Sequence, residues 1–362
     1  MSNQHAIPFL QIRGGSSKGI YLHDADLPEE GAVRDAVLKW IMGAYGDARQ
    51  IDGLGGGDPL SSKIAVIKAS EREGVDIDYR FIQAIIGEDR LDDTPNCGNI
   101  LAGVGAFALE TGRVKREGDS CSITVYMENS GKLCHLDFPI ENGLPIYEGE
   151  AAIDGVSGTS APVICRYEGL AGSLCGDMLP TGNACDVIDG VRVTCIDNGM
   201  PVVMLRAEDF GLIGTETPDE LNQNEDLKAR LESIRLQVGP MMNLGDVSAR
   251  AVPKMCLVSR ATGDGAFSTR TFIPKACHKA IGVLGAVTAA SAACLADSAV
   301  ADLADVPDGD VKQLCIEHPS GVFDVQLTFE DGAIVQSGLL RTTRLLARGD
   351  AFVPQSIIQT KA

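Results

Sequence analysis

The sequence predicts an α+β protein of two pseudo-symmetric domains, each a curved, barrel-like β-sheet wrapped around a central α-helix. Three observations lead to this prediction. Segments with strand-like patterns outnumber segments with helical patterns. The two most apolar helical segments are rich in glycine and alanine, and a helix that is small and apolar on every side belongs inside the fold. Three motifs also recur in the same order in both halves of the chain.

The repeated motifs define the two predicted domains. Each half has a glycine turn before an apolar strand, then a Gly/Asp turn before a serine, a lysine and a strand, and then a cysteine before a small-residue helix. The paired segments are 12–22 with 196–205, 53–67 with 243–258, and 96–108 with 276–289. Three matches in register indicate a duplicated unit. We therefore expect the first domain at 1–188 and the second at 189–339.

Hydrophobic periodicity and turn residues predict the individual elements. Helices are expected at 31–43, 98–112, 218–237 and 278–295. Strands are expected near 6–13, 18–23, 62–68, 78–86, 122–127, 133–138, 161–167, 191–196, 201–205, 252–258, 266–273, 313–317 and 321–329.

The charge of the chain excludes several classes of partner. The 362 residues include 31 Lys and Arg against 50 Asp and Glu, which gives a formal net charge of −19. Such a chain lacks the basic surface that nucleic acids and anionic membranes require. A small anionic metabolite can still bind in a local pocket of hydrogen-bond donors. We expect a small-molecule substrate, with a homodimer as one candidate assembly.

The cysteines and the N-terminal segment indicate a reducing compartment. Of the eleven cysteines no two lie closer than ten residues, so the close pairs typical of zinc and iron–sulfur sites are missing. The first residues lack the pattern of a signal peptide, and no run of about 18 apolar residues could span a membrane. Walker and dinucleotide-binding patterns are also missing. We expect a cytoplasmic protein that uses no metal and no cofactor.

Cys97 is the sharpest candidate for a catalytic residue. It lies in Pro-Asn-Cys-Gly-Asn directly before the predicted helix 98–112, where backbone N–H groups and the helix dipole favour a thiolate. The alternative is a buried structural cysteine, but this turn is too polar for a routine core position. Cys277 occupies the matching place before the helix predicted at 278–295. His278 follows it, where a neutral imidazole could bind a substrate oxygen.

Lys63 is the second candidate for a catalytic residue. It enters the apolar strand 62–68, and a buried ammonium is unfavourable unless it meets an anion or its pKa falls. A lysine with a lowered pKa can act as a base near neutral pH. The alternative is a side chain that reaches solvent from the strand end. Lys254 is the counterpart of Lys63 in the second half.

Turns rich in glycine and serine are candidate sites for carboxylates, because successive backbone N–H groups can surround an anion. They are RGGSSKG at 13–19, GGGDPLSS at 55–62 and DNGMP at 197–201. Plain hairpin turns are the alternative. Together with the polar residues beside Cys97, the candidate substrate-binding residues are Gly14, Gly15, Ser16, Ser17, Gly56, Ser62, Asn96, Gly98, Asn99, Asn198, Met200, Lys254, Cys277 and His278.

Six segments resemble the PrpF family of the diaminopimelate-epimerase superfold: RGGSSKG, IDGLGGGDPLSSK, PNCGNILAGVGAFA, DNGMPVV, MNLGDVSARAVPKM and CHKAIGVLGAV. The similarity extends from about residue 7 to about residue 354. It implies two domains, each a strongly curved sheet around a central helix, with about 340–354 returning to the first. It also implies a cofactor-free proton shift between carbons, with Lys63 and Cys97 as the catalytic pair. Cys277 matches the second cysteine of the amino-acid epimerases loosely, because His278 rather than glycine follows it.

Within this family the chain resembles the 4-oxalomesaconate tautomerases of gallate and protocatechuate degradation. Removal of a proton from the acidic CH₂ of that substrate gives a dienolate, so keto–enol and allylic isomerisation share their first step. Lys63 is expected as the base and Cys97 as the acid, and the exchanged roles stay open. The alternatives are a 2-methylaconitate cis–trans isomerase of PrpF type and a non-catalytic protein that binds a tricarboxylate.

Overall fold

The computed structural model describes residues 3–93, 96–248 and 250–359, and these residues form two compact units. Unit 1 contains the chain up to Arg166 together with the chain from Leu340 onward. Unit 2 contains Tyr167–Leu339. Among the described residues, none of the helices has the length and hydropathy that crossing a bilayer would require.

Within the described ranges we number the strands and α-helices in chain order. The strands are β1 (Gln4–Gly14), β2 (Ser17–His23), β3 (Lys63–Ala69), β4 (Ile77–Ala84), β5 (Leu91–Asp92), β6 (Ser120–Met127), β7 (Lys132–Glu141), β8 (Leu144–Pro145), β9 (Pro162–Glu168), β10 (Asp186–Ile188), β11 (Val191–Asp197), β12 (Pro201–Arg206), β13 (Lys254–Ser259), β14 (Phe267–Phe272), β15 (Val311–His318), β16 (Gly321–Glu330) and β17 (Ala333–Pro354). The helices are α1 (Ala32–Met42), α2 (Gly98–Leu101), α3 (Val104–Glu110), α4 (Pro218–Gln223), α5 (Glu225–Met241), α6 (Val283–Ala293) and α7 (Gln355–Ile358).

The sheet of unit 1 closes on itself around a helix. β1 pairs with β2 and with β17, and further pairings lead through β3, β4, β6, β7 and β9 back to β17. Every residue of α3 from Val104 to Leu109 is buried, as a helix inside a closed sheet requires. The rings of Tyr21 on β2 and Phe107 on α3 stack with their centroids 6.2 Å apart. The short helix α2 contacts β1, β2 and β3, so the start of the inner helical segment faces these strands.

The opposite face of β2, β3 and β4 carries a second apolar core under α1. Leu38 and Ile41 of α1 belong to one buried cluster with Ile20, Ile64 and Ile82 from the three strands. Side chains alternate between the two faces of a strand. The residues next to these isoleucines along each strand, including Lys63 beside Ile64, therefore belong to the inner face.

Unit 2 has a sheet of β10 to β16 completed by the start of β17. Its helix α6 is buried from Gly285 to Ala293 and contacts β11, β12, β15 and β16. Helices α4 and α5 pack on a separate apolar cluster, in which Leu227 and Leu231 meet Met255 and Phe272.

The two units share one order of strand pairings, as the sequence repeat predicts. In unit 1 the pairings β1–β2, β2–β3, β3–β4, β4–β6 and β6–β7 are antiparallel, parallel, antiparallel, parallel and antiparallel. In unit 2 the pairings β11–β12, β12–β13, β13–β14, β14–β15 and β15–β16 follow the same order. The buried helix lies between the fourth and fifth strands of this series in both units. The predicted α+β class, with curved sheets around central helices, is confirmed.

Two of the predicted helices are interrupted. The helix expected at 98–112 is divided into α2 and α3, because the Gly103 N–H donates to the Ile100 carbonyl at 3.0 Å in a tighter turn. The helix expected at 218–237 is divided at Asn224, whose side chain accepts from the Leu227 N–H at 3.0 Å and so begins α5. An asparagine that caps a helix competes with continuation of the preceding one.

The helix predicted at 278–295 begins later than expected, at Val283. The His278 N–H donates to the Thr271 carbonyl at 2.7 Å, and Cys277 forms an isolated bridge with Phe272. These bonds extend β14 into a tight turn. The prediction that His278 lies at a helix start is therefore wrong.

The last strand, β17, is longer than the segment expected to return at about 340–354. Its first residues pair with β16 and its later residues, from Thr343 to Pro354, pair with β1. The division between the units accordingly falls within this strand, at Leu339 and Leu340.

The expected domain boundary at 188 also differs from the division into units, which falls after Arg166. The intervening segment is bound to unit 2, because the Asp197 carboxylate accepts from the N–H groups of Leu174 at 2.7 Å and Cys175 at 2.9 Å. β10 also pairs with β11. The domain limits of 1–188 and 189–339 therefore stay a prediction.

Candidate active site

Lys63 is the first residue of β3 and lies on the inner face of the unit 1 sheet. Its side chain is buried, and Nζ donates a hydrogen bond to Gln83 Oε1 on β4 at 2.9 Å. Nζ also lies 4.9 Å from the centre of the Phe81 ring. The amine is thus held by one neutral oxygen and one aromatic face.

Cys97 is the residue from which α2 begins. Its carbonyl accepts from the Leu101 N–H at 3.0 Å and from Tyr79 Oη at 3.3 Å, while its side chain remains half-buried. As the first residues of a helix, Gly98 and Asn99 have N–H groups with no acceptor within the helix. Since α2 is a single turn, the local N–H groups rather than a long helix dipole are what this end offers to an anion.

Lys63 and Cys97 both contact the inner face of β4. Tyr79, Phe81 and Gln83 alternate along this strand and therefore share one face. Tyr79 bonds to Cys97, Gln83 bonds to Lys63, and the Phe81 ring lies between them in sequence. Four residues of strand span about 13 Å. The amine of Lys63 and the backbone of Cys97 therefore both contact residues of one face of β4.

The turn between β1 and β2 packs directly against α2. The Asn99 side chain donates to Ser16 Oγ at 3.2 Å. A Cβ at Gly14 would overlap the Asn99 carbonyl oxygen, and Gly15 has a φ of +52°. Only glycine permits both the contact and the left-handed backbone. The structure thus brings together the predicted binding residues of the first turn with those that follow Cys97.

We expect Gly14→Ala to move α2 away from this turn and to reduce both stability and turnover. Overpacking of a filled site destabilises by about 1–3 kcal/mol, and the contact here involves backbone rather than a flexible side chain. Thermal unfolding and steady-state kinetics measure the two effects. Gly349→Ala is the control, because its Cβ would make an ordinary contact of 3.7 Å with Phe9. Equal behaviour of the two variants would contradict the close packing.

Arg13 also stabilises this turn, and no pattern in the sequence indicates that role. Its guanidinium donates to the Gly15 carbonyl at 3.0 Å, to Thr342 Oγ1 at 2.9 Å and to Ser160 Oγ at 3.0 Å. Burial, followed by the charge of Arg344, lowers the pKa of Arg13. The cation adds positive potential behind the N–H groups of the turn, which favours a bound carboxylate.

Tyr21 is another residue that the sequence did not reveal. Its hydroxyl donates to the Ile100 carbonyl at 2.6 Å, and it is fully buried. Burial first, and then the Cys97 thiol, raise the pKa of Tyr21 well above its usual value. The phenol therefore stays protonated and anchors α2 without acting as a base.

The second glycine turn is organised around Gln50. Its Oε1 accepts from the Gly57 N–H at 2.9 Å and from the hydroxyl of Ser62. Gly56 packs against the side chain of Ser61 instead. The Lys18 N–H donates to the Leu60 carbonyl at 2.9 Å, which ties this turn to the first one. The Ser62 hydroxyl thus donates its proton to Gln50 within the turn. Its oxygen can still accept a hydrogen bond from another donor.

Two predicted binding residues of unit 1 carry buried polar atoms that lack a protein partner among the described residues. They are Ser17, through its hydroxyl, and Asn96, through Oδ1. Such atoms are uncommon in folded proteins and mark places where a ligand or water completes the hydrogen bonding. Ser17 begins β2, which pairs with the strand that carries Lys63, and Asn96 directly precedes Cys97.

In unit 2, Asn198 and Met200 are bound to the buried helix. Asn198 Nδ2 donates to Ser291 Oγ at 2.8 Å, and Thr288 Oγ1 donates to the Met200 carbonyl at 2.9 Å. Lys254 begins β13 as Lys63 begins β3, and burial lowers the pKa of Lys254. A Cβ at Gly282, which precedes α6, would lie 3.7 Å from Lys254 Nζ. These residues keep the positions within unit 2 that the repeat predicts.

Cys277 and His278 occupy different surroundings from those that the sequence suggested. Cys277 belongs to the apolar cluster under α4 and α5, to which none of the buried residues of α6 belongs. Burial raises the pKa of the Cys277 thiol to about 11. His278 is exposed, and its Nδ1 accepts from the Ala280 N–H at 2.9 Å. Cys277 is therefore not the structural counterpart of Cys97, which lies at the start of the inner helix.

Among the described residues, no group of three or more His, Cys, Asp or Glu is arranged to hold a metal ion.

Comparison with known proteins identifies the family. The PrpF protein family matches residues 4–354. The chain belongs to the PrpF family. One relative, the 4-oxalomesaconate tautomerase of Pseudomonas putida, is 52% identical over 96% of this chain and 96% of its own. Another, the (4E)-oxalomesaconate Delta-isomerase of a Novosphingobium species, is 49% identical over 97% of this chain and 98% of its own.

Solved structures agree with the PrpF assignment. The crystal structure of a methylitaconate-delta-isomerase matches with a TM-score of 0.92 and 34% identity, covering 100% of this chain and 99% of that one. A hydroxyproline epimerase of Agrobacterium vitis matches with a TM-score of 0.50 and 11% identity over 97% of this chain and 93% of its own, and so shows the fold alone. The predictions of the family, of the epimerase-like fold and of an isomerase are confirmed.

Proposed function

We propose that this PrpF protein isomerises 4-oxalomesaconate, an unsaturated keto tricarboxylate, by moving a proton without a cofactor. The observation that carries the proposal is the identity of 52% and 49%, over nearly the whole chain, with two proteins named for action on oxalomesaconate. The contacts of Lys63 and of the Cys97 backbone with the same face of β4 support it, because the reaction needs two groups that exchange protons with separate atoms of one substrate.

Lys63 is the proposed base. The neutral amine takes a proton from the CH₂ beside the keto acid carbonyl, and the electrons of the broken C–H bond enter a dienolate. The negative charge spreads over the carbonyl oxygen and the distant alkene carbon. Backbone N–H groups of the turn at Gly14–Ser17 and of Gly98 and Asn99 would hold the carboxylates and the developing charge.

Cys97 is the proposed acid. Its thiol gives a proton to the distant carbon in an allylic isomerisation, or to oxygen in a keto–enol tautomerisation. The products are then the isomer, a protonated Lys63 and a Cys97 thiolate, and proton exchange with solvent restores the starting state. The number of protons and electrons is unchanged, so the reaction needs no oxidant or reductant.

The proposal places the reaction in the degradation of gallate or protocatechuate, as the family resemblance implies. It places the protein in the cytoplasm, where reduced cysteines persist. All eleven cysteines are free thiols, which fits that compartment.

The test is turnover of 4-oxalomesaconate by the purified protein, followed by ultraviolet absorbance and by proton NMR in D₂O. We expect the substrate signals to change with deuterium incorporated at the CH₂ and, for allylic isomerisation, at the distant carbon. The position of deuterium separates the two outcomes. A reaction mixture without protein is the control for uncatalysed tautomerisation, which the absorbance assay alone would not distinguish.

The second candidate, a 2-methylaconitate isomerase, uses the same chemistry on a related carboxylate. The similarity to the crystal structure of a methylitaconate isomerase, with a TM-score of 0.92, supports this second candidate. We expect kcat/KM for 4-oxalomesaconate to exceed that for 2-methylaconitate and methylitaconate. The reverse order would assign the second function, and binding without turnover of any of the three would indicate an accessory protein.

A further inference from the structure

We propose that Gln83 is the positioning residue for Lys63, and that the neutrality of its amide is required for Lys63 to accept a proton. This inference rests on the proposed function, because it takes Lys63 as the base. Gln83 lies outside the glycine turns and the cysteine and lysine motifs of the sequence. It emerges from the strand register, which places it directly opposite Lys63 across β3 and β4.

The contact between the two side chains is specific. Lys63 Nζ donates to Gln83 Oε1 at 2.9 Å. None of the ion pairs in the described part of the chain involves Lys63, and its other neighbour at β4 is the uncharged ring of Phe81 at 4.9 Å. The amine is therefore anchored without a carboxylate.

The orientation of the Gln83 amide is fixed by the backbone around it. Its Nε2 faces three carbonyl oxygens, those of Ser62 at 2.9 Å, Pro59 at 3.2 Å and Ala84 at 3.2 Å. A reversed amide would set Oε1 against these carbonyls and an N–H group against the amine, so only one orientation satisfies the groups. The backbone thus holds Oε1 on Lys63, and Oε1 fixes the direction of the amine.

A neutral acceptor has a chemical consequence for a base. A neutral amine can donate one N–H to Gln83 and keep its lone pair for the substrate. A carboxylate in the same place would favour the ammonium, which has no lone pair. Lys68 on the same strand shows that effect, because its Nζ lies 2.9 Å from Glu128 Oε1 and the hydrogen bond to Glu128 raises the pKa of Lys68.

The duplicated lysine in unit 2 lacks this arrangement. The described register of β13 and β14 ends with Met255 opposite Phe272, so Lys254 has no paired residue on β14. The amide anchor is therefore a feature that distinguishes the lysine of unit 1 from its repeat.

Two substitutions test the inference. Gln83→Met keeps the length and removes the acceptor, and we expect kcat for 4-oxalomesaconate to fall about tenfold, the effect of one lost hydrogen bond, with KM nearly unchanged. Gln83→Glu adds a negative charge, and we expect the acidic limb of the kcat/KM profile to move up by about 1 pH unit or more. Activity of Gln83→Glu at neutral pH then falls and recovers as the pH rises.

Controls separate positioning from a structural role. In Gln83→Glu one oxygen of the introduced carboxylate would face the three carbonyls, so thermal unfolding is measured for both variants. Gln326→Glu makes the same substitution on β16 in unit 2. The pH dependence of kcat/KM for this variant should equal that of the parent. In the Lys63→Met background, Gln83→Met should cause no further loss of the residual rate, because contacts that act through one group are not additive.

The outcomes distinguish this inference from the proposed function. A parental pH profile for Gln83→Glu, or an additional loss from Gln83→Met in the Lys63→Met background, would overturn the role of Gln83. Parental turnover of Lys63→Met would overturn the proposed base itself, whatever the Gln83 variants show.

Discussion

Cys97→Ala is expected to lower kcat for 4-oxalomesaconate by about 10²–10⁴-fold, the usual contribution of a general acid or base. KM should change little, because Tyr79 and Leu101 bind the backbone carbonyl of Cys97, which alanine retains. The backbone N–H groups that would hold the substrate carboxylate therefore stay in place. The loss measures proton transfer by the thiol.

Cys277→Ala is the matched control for Cys97→Ala. The Cys277 side chain is 6% exposed within the outer cluster of unit 2, so its truncation leaves a small cavity and is expected to destabilise by about 1 kcal/mol. Its turnover should remain near that of the parent. Equal losses of kcat in the two variants would contradict the assignment and would favour a mechanism with two thiols.

Alkylation by iodoacetamide gives an independent measurement of the same difference. Only a thiolate reacts, and a thiol with a pKa of about 11, such as Cys277, is about 0.1% ionised at pH 8. We expect Cys97 to be labelled before Cys277, as peptide mass mapping would show. Bound tricarboxylate should protect Cys97.

The parts of the site that are local in sequence could be predicted. Lys63 was expected at the entry of an apolar strand, and it is the first residue of β3. Cys97 was expected at a helix start, and it directly precedes α2. Both predictions depend on patterns within a few residues. The positions of most strands followed from alternation and turn residues in the same way, whereas β5, β8, β10 and β17 were not expected as strands.

The parts that depend on register could not be predicted. Gln83 meets Lys63 because residue 63 pairs with residue 83, and a shift of one residue would have turned the glutamine to the outer face. Arg13 reaches Thr342 across 329 positions of the sequence. A single sequence contains no signal for such pairs.

The error at His278 has the same origin. The small residues of 278–295 fit a helix throughout, but a bond from the His278 N–H to Thr271 on β14 delays the helix to Val283. A tertiary hydrogen bond therefore overrides local propensity. The two units share one order of strand pairings, as the repeat in the sequence predicts. The turn at His278 nevertheless makes the surroundings of Cys277 unlike those of Cys97.

Lys63→Met is expected to bind 4-oxalomesaconate within about tenfold of the parent and to turn it over at least ~100-fold more slowly, the low end for a lost general base. Methionine keeps the volume of the side chain on the inner face and its contact with the Phe81 ring, while it removes the amine. Isothermal titration measures binding, and absorbance assays measure turnover. Lys68→Met on the same strand is the matched control, because its half-exposed ion pair with Glu128 contributes little.

Solvent exchange decides what Lys63 does. A proton that an amine removes from the substrate can exchange with D₂O. The parent should therefore incorporate deuterium at the acidic CH₂, and Lys63→Met should not. If Lys63→Met exchanges this position at the parental rate, the lysine only holds a carboxylate, and the base is Cys97 or another group. If exchange and turnover are lost together while Lys68→Met retains both, the amine on β3 breaks the C–H bond, and the geometry set by Gln83 acts on that step.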